Sequence, residues 1–138
     1  MKPTFQLEVL SGFTDERGLV FEPLRPSEFT HQQNAHVVLT QPGCIRGNHF
    51  HPRGTEICVI KGPALVRIRE DSKILDFDVI SGEVKRFLFP PGVAHAIQNT
   101  GEELLLLISF NTIAHDPASP DVVRDVLIPP TYLRAETN

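Results

Sequence analysis

Two histidines one residue apart, His49 and His51, stand in the stretch RGNHFHPRGTE, which ends on Glu56, and His95 follows the later turn PPG. In an extended strand, side chains two residues apart point to the same face and lie ~7 Å from each other. A hairpin through PRGT is expected to bring Glu56 back beside the pair. Three imidazoles and one carboxylate are a ligand set typical of Zn, Fe(II), Mn, Ni or Cu. An HxH pair alone arises often by chance, so the prediction of a metal site depends on all four residues together.

Short strands must position these side chains, because Pro and Gly break the chain into short runs that alternate or are β-branched. This pattern predicts one all-β domain. The segment RPSEF (25–29) predicts a single helical turn, and SPDVVRDVL (119–127) predicts a short C-terminal helix capped by Ser119. The predicted strands, besides an extended 45–51, are 5–9, 36–41, 56–60, 64–70, 73–79, 84–89, 95–99 and 103–110.

Composition and charge exclude several classes of protein. Hydrophobic residues make up 41% of the 138 residues, which is enough for a packed core, and the formal net charge is −4. An acidic chain without a Lys/Arg run is not expected to bind nucleic acid or an anionic membrane. The N-terminus shows no signal-peptide pattern, which predicts a cytoplasmic protein with Cys44 and Cys58 as reduced thiols.

The motifs resemble those of the cupin superfamily. That resemblance implies a double-stranded β-helix (jelly-roll) barrel with a metal in its mouth, a core at about 36–110, one domain over 1–138, and a tail at 129–138. The first signature is carried by Gly43, His49, His51, Glu56 and Gly62, and the second by Pro90, Gly92, His95 and Asn99. The interval from Glu56 to Gly62 is one residue shorter than in the usual signature.

Other stretches narrow the resemblance to enzymes of sugar nucleotides. TDERGLVFEPL (14–24), IRGNHFH (45–51) and PPGVAHAI (90–97) resemble motifs of dTDP-4-dehydrorhamnose 3,5-epimerases and sugar-nucleotide 3,4-ketoisomerases. RGNHFH and the segment 116–121 are similar to the zinc-containing cupin domain of capsular-polysaccharide reductase–epimerases. The resemblance implies an epimerase or isomerase of a nucleotide-linked 4-keto-6-deoxy sugar in surface-polysaccharide biosynthesis, with zinc as the first choice of metal.

The same resemblance implies roles for individual residues. His49 matches the catalytic base of the metal-free epimerases, but those enzymes typically have Gln where this chain has His51. If His49 binds a metal it cannot be the base, and the alternatives are His36, Glu22, His115 or a metal-bound water. Arg17 and Arg46 match the two RG arginines and are predicted to hold the substrate diphosphate.

The sequence is also compatible with two other functions and with assembly into a homodimer. The four-ligand set also suits a cupin dioxygenase, and a non-catalytic sugar- or metal-binding cupin would keep the same residues. A dioxygenase has no need of arginines for a diphosphate, which favours the sugar-nucleotide enzyme. The resemblance also implies a homodimer in which a strand such as 4–9 adds to a neighbouring sheet.

Overall fold

Strands form most of the regular structure in the computed structural model, which describes residues 3–130. That range contains a single 3-10 helix, Pro26–His31, and twelve strands. The strands are β1 (Gln6–Val9), β2 (Phe13–Asp15), β3 (Gly18–Val20), β4 (Asn34–Thr40), β5 (Ile45–Phe50), β6 (Glu56–Lys61), β7 (Ala64–Glu70), β8 (Lys73–Val79), β9 (Val84–Phe89), β10 (Ala94–Asn99), β11 (Leu105–Asn111) and β12 (Val123–Arg124).

Two five-stranded antiparallel sheets carry the architecture. One has the strand order β1-β9-β6-β11-β4, the other has the order β12-β5-β10-β7-β8, and β2 and β3 form a separate pair. Side chains of both large sheets meet in one buried cluster, so the sheets pack face to face. The cupin-type jelly roll that the motifs implied is confirmed, as two sheets rather than a closed barrel.

The core comes from alternation along the strands. In β7, Ala64, Val66 and Ile68 are buried while the residues between them are partly exposed, as expected for a strand with one face inward. In β9, Phe87 and Phe89 are fully buried and their rings stack at 5.8 Å. This apolar wall fixes the elements on which the polar site is built.

The predicted strands agree closely with the structure. Strands β7, β8 and β9 coincide with the predicted runs 64–70, 73–79 and 84–89. The helical turn predicted at 25–29 is the 3-10 helix Pro26–His31, where Glu28 and the backbone N–H of Arg25 form a capping interaction. Local patterning was therefore sufficient for these elements.

The predicted C-terminal helix at 119–127 is wrong. Residues Val123–Arg124 form β12, which pairs with the edge of β5. The Asp121 carboxylate accepts hydrogen bonds from the backbone N–H groups of Arg53 and Gly54, at 2.9 and 2.8 Å. These long-range hydrogen bonds stabilise the non-helical conformation of the segment. A short helix in its place would gain little stability, because it would have no apolar face to bury.

Three expectations from the sequence receive no test. Residues 131–138 of the predicted tail lie outside the described residues, and a single domain over 1–138 stays a prediction. In the single chain, β1 pairs with β9 of the same chain, so the exchange of strand 4–9 between copies also stays a prediction. Over residues 3–130, no helix is long and apolar enough to cross a membrane.

Candidate metal centre

The four predicted ligands converge between the two sheets. His49 lies in β5, His51 directly follows the last residue of β5, Glu56 begins β6, and His95 lies in β10. One ligand atom from each lies within 4.8 Å of all the others. His49 faces His95 directly, because the two are cross-strand partners, and their ring centroids are 5.0 Å apart.

An irregularity in β5 aims the histidines. Gly47 and Asn48 have positive φ angles of 86° and 58°, and the pairing of β5 with β10 shifts register between His95 and Ala96. A Cβ on Gly47 would meet the His95 carbonyl oxygen at 2.7 Å, so only glycine allows the strands to approach this closely. Positive φ is uncommon for a residue other than glycine, although asparagine is enriched there.

Backbone carbonyls orient two of the imidazoles. Nδ1 of His51 lies 2.7 Å from the Asp121 carbonyl oxygen, and Nδ1 of His95 lies 3.1 Å from that of Val93. A ring nitrogen that faces a carbonyl must carry the proton and donate it, which leaves Nε2 of each ring as a lone pair. Outer carbonyls of this kind hold metal-binding histidines in their tautomer.

Both lone pairs face one carboxylate oxygen, Glu56 Oε1. It lies 2.7 Å from His95 Nε2 and 3.3 Å from His51 Nε2. Nε2 of His95 is buried and has no hydrogen-bond partner within residues 3–130, even at this short separation. Acceptors that face each other repel unless a proton or a cation lies between them, so the donor set fits a divalent cation.

Ser109 fixes the orientation of the Glu56 carboxylate. It is buried on β11, and its hydroxyl donates to Glu56 Oε2, so the other oxygen is the one that faces the histidines. The sequence did not single out Ser109, which stands in the apolar run LLLLISF. The available signal for Ser109 was a single hydroxyl in a strand predicted to be buried, because a buried hydroxyl needs a hydrogen-bond partner.

The electrostatics of the cluster favour metal ligation by His49. Burial, with a smaller contribution from nearby His95, lowers the pKa of His49 to about 4, so its ring is neutral at pH 7. A group with so low a pKa is a weak general base near neutrality. Burial would raise the pKa of Glu56, but His95 and His51 hold it well below its ordinary value. The carboxylate is therefore ionised.

The pKa of His51 shifts in the opposite direction to that of His49. Burial alone lowers its pKa, but the hydrogen bond and the charge of Glu56 outweigh that effect and raise it. A raised pKa means that His51 holds a proton more readily than a free imidazole, and a proton on Nε2 would compete with a cation for that nitrogen.

A cavity of about 280 Å³ opens over the centre. Its floor is apolar, from Val38, Cys58, Ile97 and Leu107, and burial raises the pKa of the Cys58 thiol well above its usual range. The remaining lining residues away from the ligands are His36, Arg46, Gly47, Ser109, Asn111, His115 and Val122. An apolar floor with polar groups around the mouth suits a small polar ligand.

The structure brings His36 and Arg46 to this cavity. His36 is exposed and lines the cavity from β4, with its Nε2 3.5 Å from Asn34 Nδ2, and it is not one of the four ligands. Arg46 is exposed, and its Nε contacts Thr40 Oγ1 at 3.4 Å. It has no carboxylate partner in the described part of the chain, which leaves its charge available to an anion.

Glu22 and Arg17 lie elsewhere in the single chain. Glu22 lines a different cavity, near Arg25 and Arg86. The Arg17 side chain is 82% exposed and pairs with Asp15 at 2.5 Å. The predicted roles of Glu22 in catalysis and Arg17 in substrate binding stay predictions.

Comparison with known proteins identifies the family. Residues 13–123 match the family described as Polysaccharide biosynthesis C-terminal domain. The chain belongs to this family. The spore coat polysaccharide biosynthesis protein SpsL of Bacillus subtilis (strain 168) is 33% identical over 129 residues, covering 86% of this chain and 85% of SpsL.

Solved structures agree with membership in the family. The capsular polysaccharide assembling protein CapF from Staphylococcus aureus is 26% identical with a TM-score of 0.63, over 86% of this chain and 32% of CapF. The chain thus spans about a third of CapF's length. The sugar 3,4-ketoisomerase QdtA from Thermoanaerobacterium thermosaccharolyticum, in complex with TDP, has a TM-score of 0.68 at 15% identity, over 91% of this chain and 90% of QdtA. That identity shows the fold alone. The resemblance that the motifs indicated is confirmed.

Proposed function

We propose that the protein is a metal-dependent epimerase or isomerase of a nucleotide-linked 4-keto-6-deoxy sugar in surface-polysaccharide biosynthesis. The observation that carries this proposal is the cavity in which a fitted four-ligand centre lies beside His36 and Arg46. SpsL and CapF, which are named for polysaccharide biosynthesis and capsular polysaccharide assembly, support the pathway. The ketoisomerase QdtA, which shares the fold, was solved with TDP, and TDP contains the diphosphate of the substrate class proposed here.

The reaction requires a proton to leave a carbon next to the ketone. The resulting enolate is high in energy, and its charge must be stabilised as it forms. A divalent cation held by His49, His51, Glu56 and His95, zinc first, would supply Lewis-acid stabilisation of that charge. The protein's own task is to hold the sugar over the apolar floor, exclude water and move the proton.

His36 is the proposed proton-transfer residue. It reaches the cavity from β4, on the sheet opposite β5, and it is not committed to the centre. His49 is less suited, because its ring is in the ligand cluster and burial lowers its pKa to about 4. Asn34, next to His36 Nε2, orients the imidazole.

Arg46 is the proposed contact to the substrate diphosphate. Its planar guanidinium offers paired N–H donors, which match phosphate oxygens. It stands on β5, the strand that carries His49. A diphosphate at Arg46 would direct the attached sugar toward the centre.

The protein is also proposed to act as a homodimer. β4 is an edge strand, and its outward residues Val37 and Leu39 are 70% and 54% exposed. A second copy would cover this apolar edge. Sedimentation velocity of the full chain tests the dimer, and a monomer at micromolar concentration would contradict it.

Solvent-deuterium exchange tests the proposed function. Zinc-loaded protein is incubated in D₂O with UDP- and dTDP-linked 4-keto-6-deoxyhexoses, and the sugar is examined by NMR. We expect deuterium at a carbon next to the ketone, followed by an epimer or ketoisomer. His36→Asn should lower kcat by ~100-fold or more while the metal stays bound. Absence of exchange with every sugar nucleotide, with zinc bound, would contradict the proposal, and oxygen consumption would indicate a dioxygenase.

A further inference from the structure

We infer that Arg124, on the last described strand, forms with Arg46 a two-armed site for the diphosphate of the nucleotide. The inference rests on the proposed function, because it names a second residue for the same anionic substrate. No motif pointed to Arg124, and the segment that contains it was expected to be helical. Its position follows from how β12 lies against β5.

The alternation of β12 places Arg124 on the cavity side. Val122 lines the cavity. The Asp125 carboxylate is bonded to Arg69 Nη1 at 2.5 Å, and Arg69 lies on the outer face of its sheet, opposite the buried Ile68. Successive residues of a strand point to opposite faces, so Arg124 shares the face of Val122.

The pairing register gives the same placement independently. Arg124 is the cross-strand partner of His49. Side chains of such partners lie on the same face, with Cβ atoms ~5 Å apart. Because β12 is the edge strand of its sheet and Arg124 is exposed, we place Arg124 beside His49 at the rim of the cavity rather than among the residues that line it.

Arg124 and Arg46 are also set apart by their free charge. Within residues 3–130, all six other arginines have a carboxylate partner: Arg17, Arg25, Arg53, Arg67, Arg69 and Arg86. Neither Arg124 nor Arg46 has one in that range, although the chain is acidic overall with a formal net charge of −4. Two unpaired guanidinium groups on either side of His49 form a local positive site for an anion.

The geometry suits a bridging ligand rather than a single phosphate. Arg46 and His49 pair with Ile97 and His95, which are two residues apart on β10, so the irregular stretch of β5 between them spans ~7 Å, while Arg124 lies across from His49. From these positions, the Arg46 and Arg124 side chains are long enough for each to contact one phosphate of a diphosphate. A nucleoside monophosphate offers only one of these contacts.

Calorimetric titration with UDP and dTDP, and with UMP and TMP, tests the inference. The variants are Arg124→Ala, Arg124→Lys and Arg46→Ala, and Lys73→Ala removes an exposed positive charge on β8 as the matched control. We expect Arg124→Ala to weaken diphosphate binding by about 5- to 30-fold and monophosphate binding by less. Arg124→Lys should recover part of the loss, and Lys73→Ala should change affinity by less than about 2-fold.

The outcomes separate this inference from the proposed function. If Arg46→Ala weakens diphosphate binding and Arg124→Ala does not, Arg124 is not part of the site and the proposed function stands. If the unmodified protein binds no diphosphate and no sugar nucleotide, both fail. Equal losses for Arg124→Ala and Lys73→Ala would show a general charge effect and overturn the inference. Thermal unfolding should be the same for both variants, because Arg124 is exposed.

Discussion

Glu56 Oε1 lies 2.7 Å from His95 Nε2, and both atoms are hydrogen-bond acceptors when the His95 ring carries its proton on Nδ1. The Val93 carbonyl oxygen accepts a hydrogen bond from Nδ1–H of His95, and the Ser109 hydroxyl donates one to Glu56 Oε2. The fold therefore brings two acceptor atoms together in a buried place, and Glu56 Oε1 also lies 3.3 Å from His51 Nε2. A divalent cation held among these atoms would relieve their repulsion, and the first predictions test for such a cation.

Metal content should follow the ligand set. Protein purified without a tag is expected to hold about one divalent cation per chain, with zinc first, measured by elemental mass spectrometry. His51→Ala removes one ligand and should lose most of the metal. His36→Ala is the matched control, because His36 lines the cavity outside the cluster. Equal metal in the unmodified protein and in His51→Ala, or none in either, would rule out the four-ligand centre.

Ser109→Ala should weaken metal binding without removing a ligand. The variant frees Glu56 Oε2 to turn, so the carboxylate loses its fixed orientation. Loss of such an outer contact typically costs 10- to 100-fold in metal affinity, and about that loss is expected. Competition with a chromophoric chelator measures it.

Ser81→Ala, in an exposed turn, is the control for the Ser109 variant. An affinity for Ser109→Ala within 2-fold of the control would show that the hydroxyl does not position Glu56.

Gly47→Ala should destabilise both the fold and the centre. The added Cβ would meet the His95 carbonyl oxygen at 2.7 Å, and the residue has a φ of 86°. Gly43→Ala is matched, with a φ of 78° and no atom within 4 Å of the added Cβ. The left-handed conformation alone costs ~1–2 kcal/mol, so only the excess over Gly43→Ala measures the clash.

Urea unfolding and metal titration of the two glycine variants check this prediction. Equal losses of stability would mean that the close approach of β5 and β10 adds nothing.

Glu28→Gln should lower stability in a pH-dependent way. Arg86 is nearly buried and donates to both Glu28 oxygens, and this contact lowers the pKa of Glu28 from its ordinary value of 4.5 although burial acts in the opposite direction. The contribution of Glu28 is therefore present above pH 4.5 and is lost as the pH falls through the lowered pKa. At pH 7 we expect a loss of ~1–3 kcal/mol in the free energy of unfolding.

Urea unfolding of Glu28→Gln at neutral pH and near pH 3 measures this dependence. Exposed Glu102→Gln is the control, and its effect should be small at both values. A difference between Glu28→Gln and the unmodified protein that does not shrink in acid would show that the ionised carboxylate is not the source.

Much of the fold was predictable because it depends on local pattern. Strands 64–70, 73–79 and 84–89 were read directly from alternation and turn residues, and their boundaries hold in the structure. The helix predicted at 119–127 is wrong, because its N-cap and helix-forming residues are local signals and do not report long-range contacts. The segment's actual partners, Asn48 and the turn at 53–54, are about 70 to 80 residues away in the sequence.

The sequence alone determined which side chains are able to bind a cation, since the types and spacing of His49, His51, Glu56 and His95 carry that chemistry. Only the tertiary structure decided how they are held and what lies around them. The tautomer of His51 depends on the carbonyl of distant Asp121, Ser109 reaches Glu56 from another strand, and Arg124 stands beside His49 through the pairing of β12. The physical reason is that hydrogen-bond partners and cavity walls are long-range contacts, which a pattern along one strand does not contain.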